Sequence, residues 1–325
     1  MSGLRRGTRA RVAAAAEAPA RAVGPAAQAP PKTHAAALSL VSNSLLILLK
    51  LAAGIVTGSI AILTEAAHSS IDLLAAVIAF LSVRKADEPA DESHPYGHEK
   101  VENMAAAIEG MLILVGAGVI VYASTHKLMV GSHVDTLGFG IAVIAISSVV
   151  NLGVSAHLSR QAQITDSPAL EGDAAHLRTD AATSAGVLAA LVLVQLTGVQ
   201  QLDPAVALLV AVAIVVAGIR ILTRSSRVLV DEALPPAELR AIEQAIREED
   251  PEELIGFHKL RARRAGSRRY VDLHVQFRHG TTLQRAHALA HQLQAAIRHR
   301  LRGADVLIHL EPEEAADESR REEVR

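Results

Sequence analysis

Two short patterns in this chain put metal-binding side chains inside strongly apolar stretches: His68-x-x-x-Asp72 and His176-x-x-x-Asp180. A four-residue step returns to the same helix face one turn on, so each pattern aims an imidazole and a carboxylate the same way. Two such helices facing one another would supply two nitrogens and two oxygens, a tetrahedral shell that suits Zn²⁺. The two carboxylates also offset the charge of a divalent ion, leaving the loaded site nearly neutral. An Asp at mid-membrane costs roughly 3 kcal/mol on insertion scales, so such a residue needs a reason. One membrane histidine is often a helix-packing hydrogen bond. The same His/Asp pair recurring in two segments points instead to a shared site. Asn43, Glu65, Glu109 and Asn151 also fall in apolar stretches and read as packing or water-cavity residues.

The elements that must position these residues are spanning helices, which need about 20 mostly apolar residues. Six segments qualify: Ala35–Val56, Ile60–Val83, Met104–Thr125, Leu137–Leu158, Ala174–Leu196 and Pro204–Leu222. Lys and Arg collect before the first (Arg5 to Lys32), after the second (Arg84, Lys85, Lys100), around the fourth-to-fifth connection (Arg160, Arg178) and after the sixth (Arg220, Arg224, Arg227). The opposite connections are short and carry little positive charge, Lys127 being the exception. By the positive-inside rule both termini face the cytoplasm. The expected location is a plasma membrane, the inner membrane in a bacterium.

Four regions follow: an Ala/Arg/Pro tail at 1–34, a six-helix membrane domain at 35–228, a soluble α+β domain at 229–311 and a charged tail at 312–325. Both tails read as disordered on composition. The soluble region reads as helix Ala237–Glu249, strands Ile255–Arg264 and Arg269–Arg278 joined at Gly266-Ser267, helix Leu283–Leu301 and strand Val306–Leu310.

Composition removes several function classes. The 325 residues include no Cys, so thiolate sites and catalytic thiols are absent, and only four Met, which argues against a copper(I) pathway. A formal charge of -2 argues against nucleic acid as a partner. The "HEKVE" run at His98 lacks the spacing of a helical zinc-hydrolase pair, so an intramembrane metalloenzyme is disfavoured. Nothing points to an organic cofactor.

Two further groups could bind metal. Asp91, His94 and His98 follow three- and four-residue steps in the second-to-third connection; spacing alone leaves a solvated loop and a metal site both open. His258, His274, His287, His309 and Glu311 lie in the soluble domain. His309 and Glu311, two apart on one strand, point the same way, and antiparallel strands could bring His258 to His274. His34, His126, His133, His157, His279, His291 and His299 read as solvated or interfacial.

The segments "GSIAILTEAAHSSID" (Gly58–Asp72), "PADESHPYGHEKVE" (Pro89–Glu102) and "SPALEGDAAHLRTDAATS" (Ser167–Ser184) resemble the cation diffusion facilitator family of metal–proton antiporters. The likeness runs from about Ala35 to Glu311. It implies six spans, a cytoplasmic metallochaperone-like domain and a homodimer. It also implies a transport site of His68, Asp72, His176 and Asp180, with a His at position 68 favouring zinc over cadmium. The resemblance further implies a more exposed metal site at Asp91, His94 and His98, an interlock between Lys100 and Asp231, and a regulatory zinc pair held at the dimer interface by the soluble-domain residues. Glu311 stands where well-matched relatives have a bridging Asp. The expected activity is efflux of divalent cations, zinc first, in exchange for protons. The alternatives are a transporter of Co²⁺, Ni²⁺, Fe²⁺, Cd²⁺ or Mn²⁺, and a membrane metal sensor that does not transport.

Overall fold

Each apolar stretch becomes one long helix. The structure is a computed structural model that describes residues 32–57, 60–130, 138–199, 201–249 and 252–313, and leaves some side chains on the helices undescribed, including those of Glu65 and His68. Most of the two expected tails (1–34 and 312–325), namely residues 1–31 and 314–325, and also His133, lie outside the described residues, while residues 32–34 open the first helix and Pro312 ends the last strand rather than being disordered. Among the described residues the long helices are α1 (Lys32–Thr57), α2 (Ile60–Ala86), α3 (Lys100–Val130), α4 (Gly138–Thr165), α5 (Pro168–Thr197) and α6 (Leu202–Leu229). By length and composition α1, α3, α5 and α6 can cross a membrane. The other two are comparably long, at 27 and 28 residues. Large apolar side chains such as Leu45, Leu48, Val115, Val119, Leu209 and Val212 point outward, as lipid-facing residues do.

The helices run further than the apolar stretches. α5 begins six residues before Ala174 because Ser167-Pro168 supplies its start: the Ser167 side chain accepts from the Leu170 amide, and Pro168 fills the first turn. Three helix ends meet at buried Glu102 of α3, which accepts from Lys32 of α1 at 2.8 Å and from Ser167. α3 and α6 pack closely, since a Cβ on Gly110 would sit 2.9 Å from the Leu222 backbone nitrogen.

The soluble part contains α7 (Pro236–Glu249), β1 (Leu254–Ala265), β2 (Arg268–Phe277), α8 (Leu283–Arg300) and β3 (Ala304–Pro312). The order matches the expected helix, strand, strand, helix, strand. β1 and β2 are an antiparallel hairpin; β2 and β3 are parallel, with α8 as the crossover that parallel strands require. Val271, Leu273, Val275 and Phe277 alternate along β2 onto one sheet face. There they pack with Ile242 and Ile246 of α7 and Leu289, Leu293 and Ile297 of α8. The even-numbered residues of β2, His274 among them, occupy the opposite face.

The β1–β2 turn docks on the connection between α2 and α3. The Gly266 amide donates to Asn103 Oδ1 at 2.8 Å, and a Cβ there would lie 2.6 Å from the Glu99 carbonyl, with φ at +54° besides. Only glycine tolerates both conditions. Arg268 pairs with Glu99 at 2.7 Å, and the Tyr270 hydroxyl donates to the Tyr96 carbonyl at 2.7 Å. Arg269, largely buried, joins Glu238 of α7 (2.7 Å) to Asp166 of the α4–α5 turn (3.1 Å).

Candidate metal centres

Among the described residues three groups of ligand atoms converge, each with members within 4.8 Å of one another: Asp72, His176 and Asp180; Asp91, His94 and His98; and His258, His274 and Glu311. The first lies between α2 and α5. His176 Nε2 is 3.3 Å from Asp72 Oδ1 on the other helix and 3.8 Å from Asp180 Oδ2 one turn on. Asp72 and His176 are 7% and 5% exposed, a burial at which an acid and an imidazole need each other or an ion. The His176 Nδ1 has no hydrogen-bond partner among the described residues. His68 stands four residues before Asp72 on α2, but its side chain lies outside the described residues. Three of the four expected ligands are thus brought together.

The second group sits in the α2–α3 connection. Asp91 Oδ1 accepts from the Ser93 amide, the Ser93 hydroxyl and the His94 amide at 2.6–2.9 Å. The Ser93 hydroxyl, then the His94 amide, hold this carboxyl down at about 2, so it stays ionised. Its other oxygen faces His98 Nε2 at 3.3 Å, and the His94 and His98 rings lie 4.4 Å apart. His98 is buried and makes no hydrogen bond through either nitrogen among the described residues. Nearby, Lys100 reaches Asp231 Oδ1 at 2.7 Å, and Arg263 reaches the same oxygen at 2.7 Å. The Lys100 hydrogen bond, then that of Arg263, lowers the Asp231 carboxyl below its usual range.

The third group occupies the sheet face away from the helices. Register aligns His258 with His274 and His274 with His309, one imidazole per strand. Glu311 Oε2 meets His258 Nε2 at 2.7 Å, and Oε1 meets His274 Nδ1 at 2.6 Å. The longer glutamate therefore spans both imidazoles, one oxygen to each. Burial pushes the Glu311 carboxyl up, but the hydrogen bonds from His258 and His274 together bring it below the usual value. His309 is more exposed, its ring 4.7 Å from that of His274 and its Nε2 3.8 Å from Glu311.

The chain matches the family profile described as the cation efflux transmembrane domain over residues 36–230, and that of the cation efflux protein cytoplasmic domain over residues 234–313. The chain belongs to the cation diffusion facilitator family. An uncharacterized transporter of Synechocystis sp. is 36% identical over 81% of this chain and 85% of its own length. The cation-efflux pump FieF of Serratia proteamaculans is 33% identical over 85% and 91%, and that of Yersinia pestis 31% over 86% and 92%. A solved structure of CzrB is 34% identical, covering 25% of this chain and 98% of its own, with a TM-score of 0.24. The helical bundle is thus the membrane part of a cation efflux protein, and the α+β unit is the family's cytoplasmic domain.

Within one protomer of this cation diffusion facilitator, His287 stands apart from the other soluble-domain ligands. His287 does not join the sheet cluster: α8 covers the opposite sheet face, and His287 lies on its exposed side. The interface zinc pair implied by resemblance would need a second protomer to bring His287 to it.

Sequence reasoning also missed two buried charged residues. Lys50 of α1 donates to Ser69 Oγ at 2.7 Å, and Ser69 directly follows His68. A single Lys inside "LLILLKLAAG" was the available signal. Asp173, one turn before His176, is fully buried, and neither oxygen has a hydrogen-bond partner among the described residues. Glu109 on α3 is likewise buried, with no hydrogen-bond partner for either oxygen among the described residues.

Proposed function

We propose that this protein exports divalent cations, zinc foremost, in exchange for protons, through a site built from His68, Asp72, His176 and Asp180. The observation that carries the reading is the convergence of Asp72, His176 and Asp180 from two separate helices within 4.8 Å, in a buried setting. Two imidazoles and two carboxylates are a donor set that zinc accepts with its preferred tetrahedral geometry. Cobalt, nickel and iron(II) accept similar ligands, so the zinc assignment rests on donor chemistry together with His68.

Metal capture requires neutral imidazole and ionised carboxylate, so protons and the cation compete for the same atoms. An unperturbed imidazole titrates near ~6.5, so modest pH differences change its occupancy. The site empties of protons and fills with metal on the cytoplasmic side, then reverses on the far side. One proton moving down one pH unit yields about 1.4 kcal/mol. The exchange is a rocking of α2 and α5 against the remaining helices, with all six spanning the inner membrane and both termini in the cytoplasm.

The proposal includes a homodimer whose cytoplasmic domains bind metal through His258, His274, His309 and Glu311 and bias that rocking. Such a domain must hold metal more tightly in one conformation than in the other. The loop ligands Asp91, His94 and His98 form a more accessible site beside the docked β1–β2 turn. The Lys100–Asp231 pair ties the start of α3 to the segment after α6.

The test is zinc-dependent proton flux in proteoliposomes. Asp180→Ala should abolish the flux while the protein remains folded in detergent. Normal flux would remove Asp180 from the transport site. Metal binding without any flux in the wild type would favour the sensor alternative.

A further inference from the structure

α4, α5 and α6 enclose a cavity of ≈ 770 Å³ where they meet the cytoplasmic domain. Arg264 and Gly266 of the β1–β2 hairpin border it, which sets it at the cytoplasmic leaflet. The guanidinium groups of Arg178, Arg220, Arg224 and Arg264 line it, against the carboxylates of Asp166 and Glu171. This excess of positive charge repels a cation, so the cavity does not suit the cargo of the membrane cage.

The carboxylates are already engaged. Glu171 pairs with Arg224, Asp166 with Arg269, and Arg264 is held by Glu238. Two cations are left over. Arg178 of α5 donates to the neutral Ser159 hydroxyl at 2.6 Å. Arg220 of α6 has no ion pair or hydrogen bond among the described residues. On α6, Arg220, Arg224 and Arg227 follow at four- and three-residue steps, so they share one helix face. A smaller pocket shares Arg220 and Arg224 and is bordered by Ile219, which is 50% exposed. An apolar side chain thus stands beside the unmatched charge.

We propose that this cavity binds the phosphate headgroup of an anionic lipid from the cytoplasmic leaflet, with Arg178 and Arg220 as its main contacts. A planar guanidinium matches phosphate oxygens two at a time, and basic pockets between helices at this leaflet suit such headgroups. Free phosphate offers the same oxyanion, but it has no use for Ile219, whereas an acyl chain does. One headgroup would bridge α5 to α6. The inference stands apart from the transport-site reading, since no cage residue takes part.

The probe is phosphatidylglycerol, titrated into the full-length protein in detergent and counted by native mass spectrometry, with phosphatidylcholine as the reference. The wild type should bind its first phosphatidylglycerol more tightly than its first phosphatidylcholine. Arg178→Gln and Arg220→Gln should each lower that preference roughly fivefold, the scale of one basic side chain at an anionic leaflet. The double variant Arg84→Gln/Arg160→Gln removes two charges at exposed positions outside the cavity and should leave the preference unchanged. Excess inorganic phosphate should not displace the lipid. All four positions are exposed, so folding is preserved, and circular dichroism checks it. The proposal is overturned if Arg178→Gln/Arg220→Gln keeps the preference, or if the control variant loses as much. Displacement by inorganic phosphate would overturn it too, because the site would then take a free anion.

Discussion

Replacing Arg269 with Ala should loosen the cytoplasmic domain from the membrane helices. This guanidinium is 9% exposed and holds Glu238 at 2.7 Å, Asp166 at 3.1 Å and the Arg302 carbonyl at 3.0 Å. Hydrogen bonds to charged groups contribute about 1.5–3 kcal/mol each. Two factors reduce the loss: Glu238 keeps Arg264 as a partner, and Asp166 is 39% exposed, so water can replace the arginine. The expected net loss is about 2 kcal/mol, which corresponds to roughly 30-fold in a local opening equilibrium. Hydrogen exchange followed by mass spectrometry over 264–270 reads it, since the Gly266 amide is protected by Asn103 only while the turn is docked. The loss should also depend on pH. Burial pushes the Glu238 carboxyl up, but the hydrogen bond from Arg269 and the charges of Arg264 and Arg269 outweigh it and hold the group below its usual range. A depressed carboxyl stabilises the fold above its unfolded value of ~4.3, and that stability fades as pH falls through the lower folded value. The difference between wild type and Arg269→Ala should therefore be full at pH ~7 and shrink below pH ~4. Unchanged exchange in the variant at neutral pH would refute the clamp.

Other outcomes are equally specific. Gly110→Ala should lower thermal stability by about 1–3 kcal/mol through overpacking against Leu222. Gly116→Ala, where nothing lies within 4 Å of the new methyl, is the control and should not destabilise. Lys100→Ala should cost less than about 1 kcal/mol in detergent unfolding, because both it and Asp231 are at least a third exposed; a larger loss would mean that the assembly desolvates the pair. His309→Ala should leave maximal zinc transport intact but shift its zinc dependence, and an identical dependence would exclude a regulatory role for the sheet cluster.

Much of this arrangement was legible because period and residue type agreed. The His/Asp steps fix which atoms share a helix face, and the apolar runs fix the helices that carry them. The apolar–polar alternation of β2 marks it as a strand, and in the fold it sets Val271, Leu273 and Val275 on the face opposite His274. What was not legible depends on contacts distant in sequence. Hydropathy placed the start of α5 at Ala174, whereas the Ser167-Pro168 cap and its link to Glu102 start it earlier. His287, which resemblance puts in the interface set, is held by α8 across the sheet from His274 within one protomer, a separation that no local pattern reveals. Lys50 and Asp173 gain their surroundings only from folding, which brings Lys50 to Ser69 and buries Asp173 one turn before His176. The docking of Gly266 on Glu99 and Asn103 is likewise a property of two segments that no local pattern connects.

The central claim is that α2 and α5 lend their side chains to one ion. X-ray absorption at the zinc edge tests it most directly, on protein carrying His94→Ala, His98→Ala and His274→Ala so that the other candidate sites are disabled. The account predicts one zinc per chain, with two imidazole nitrogens at about 2.0–2.1 Å and carboxylate oxygens at about 2.0–2.2 Å. Adding His176→Ala should remove one imidazole from that shell. A shell indifferent to His176→Ala, or no bound zinc at all, would contradict it.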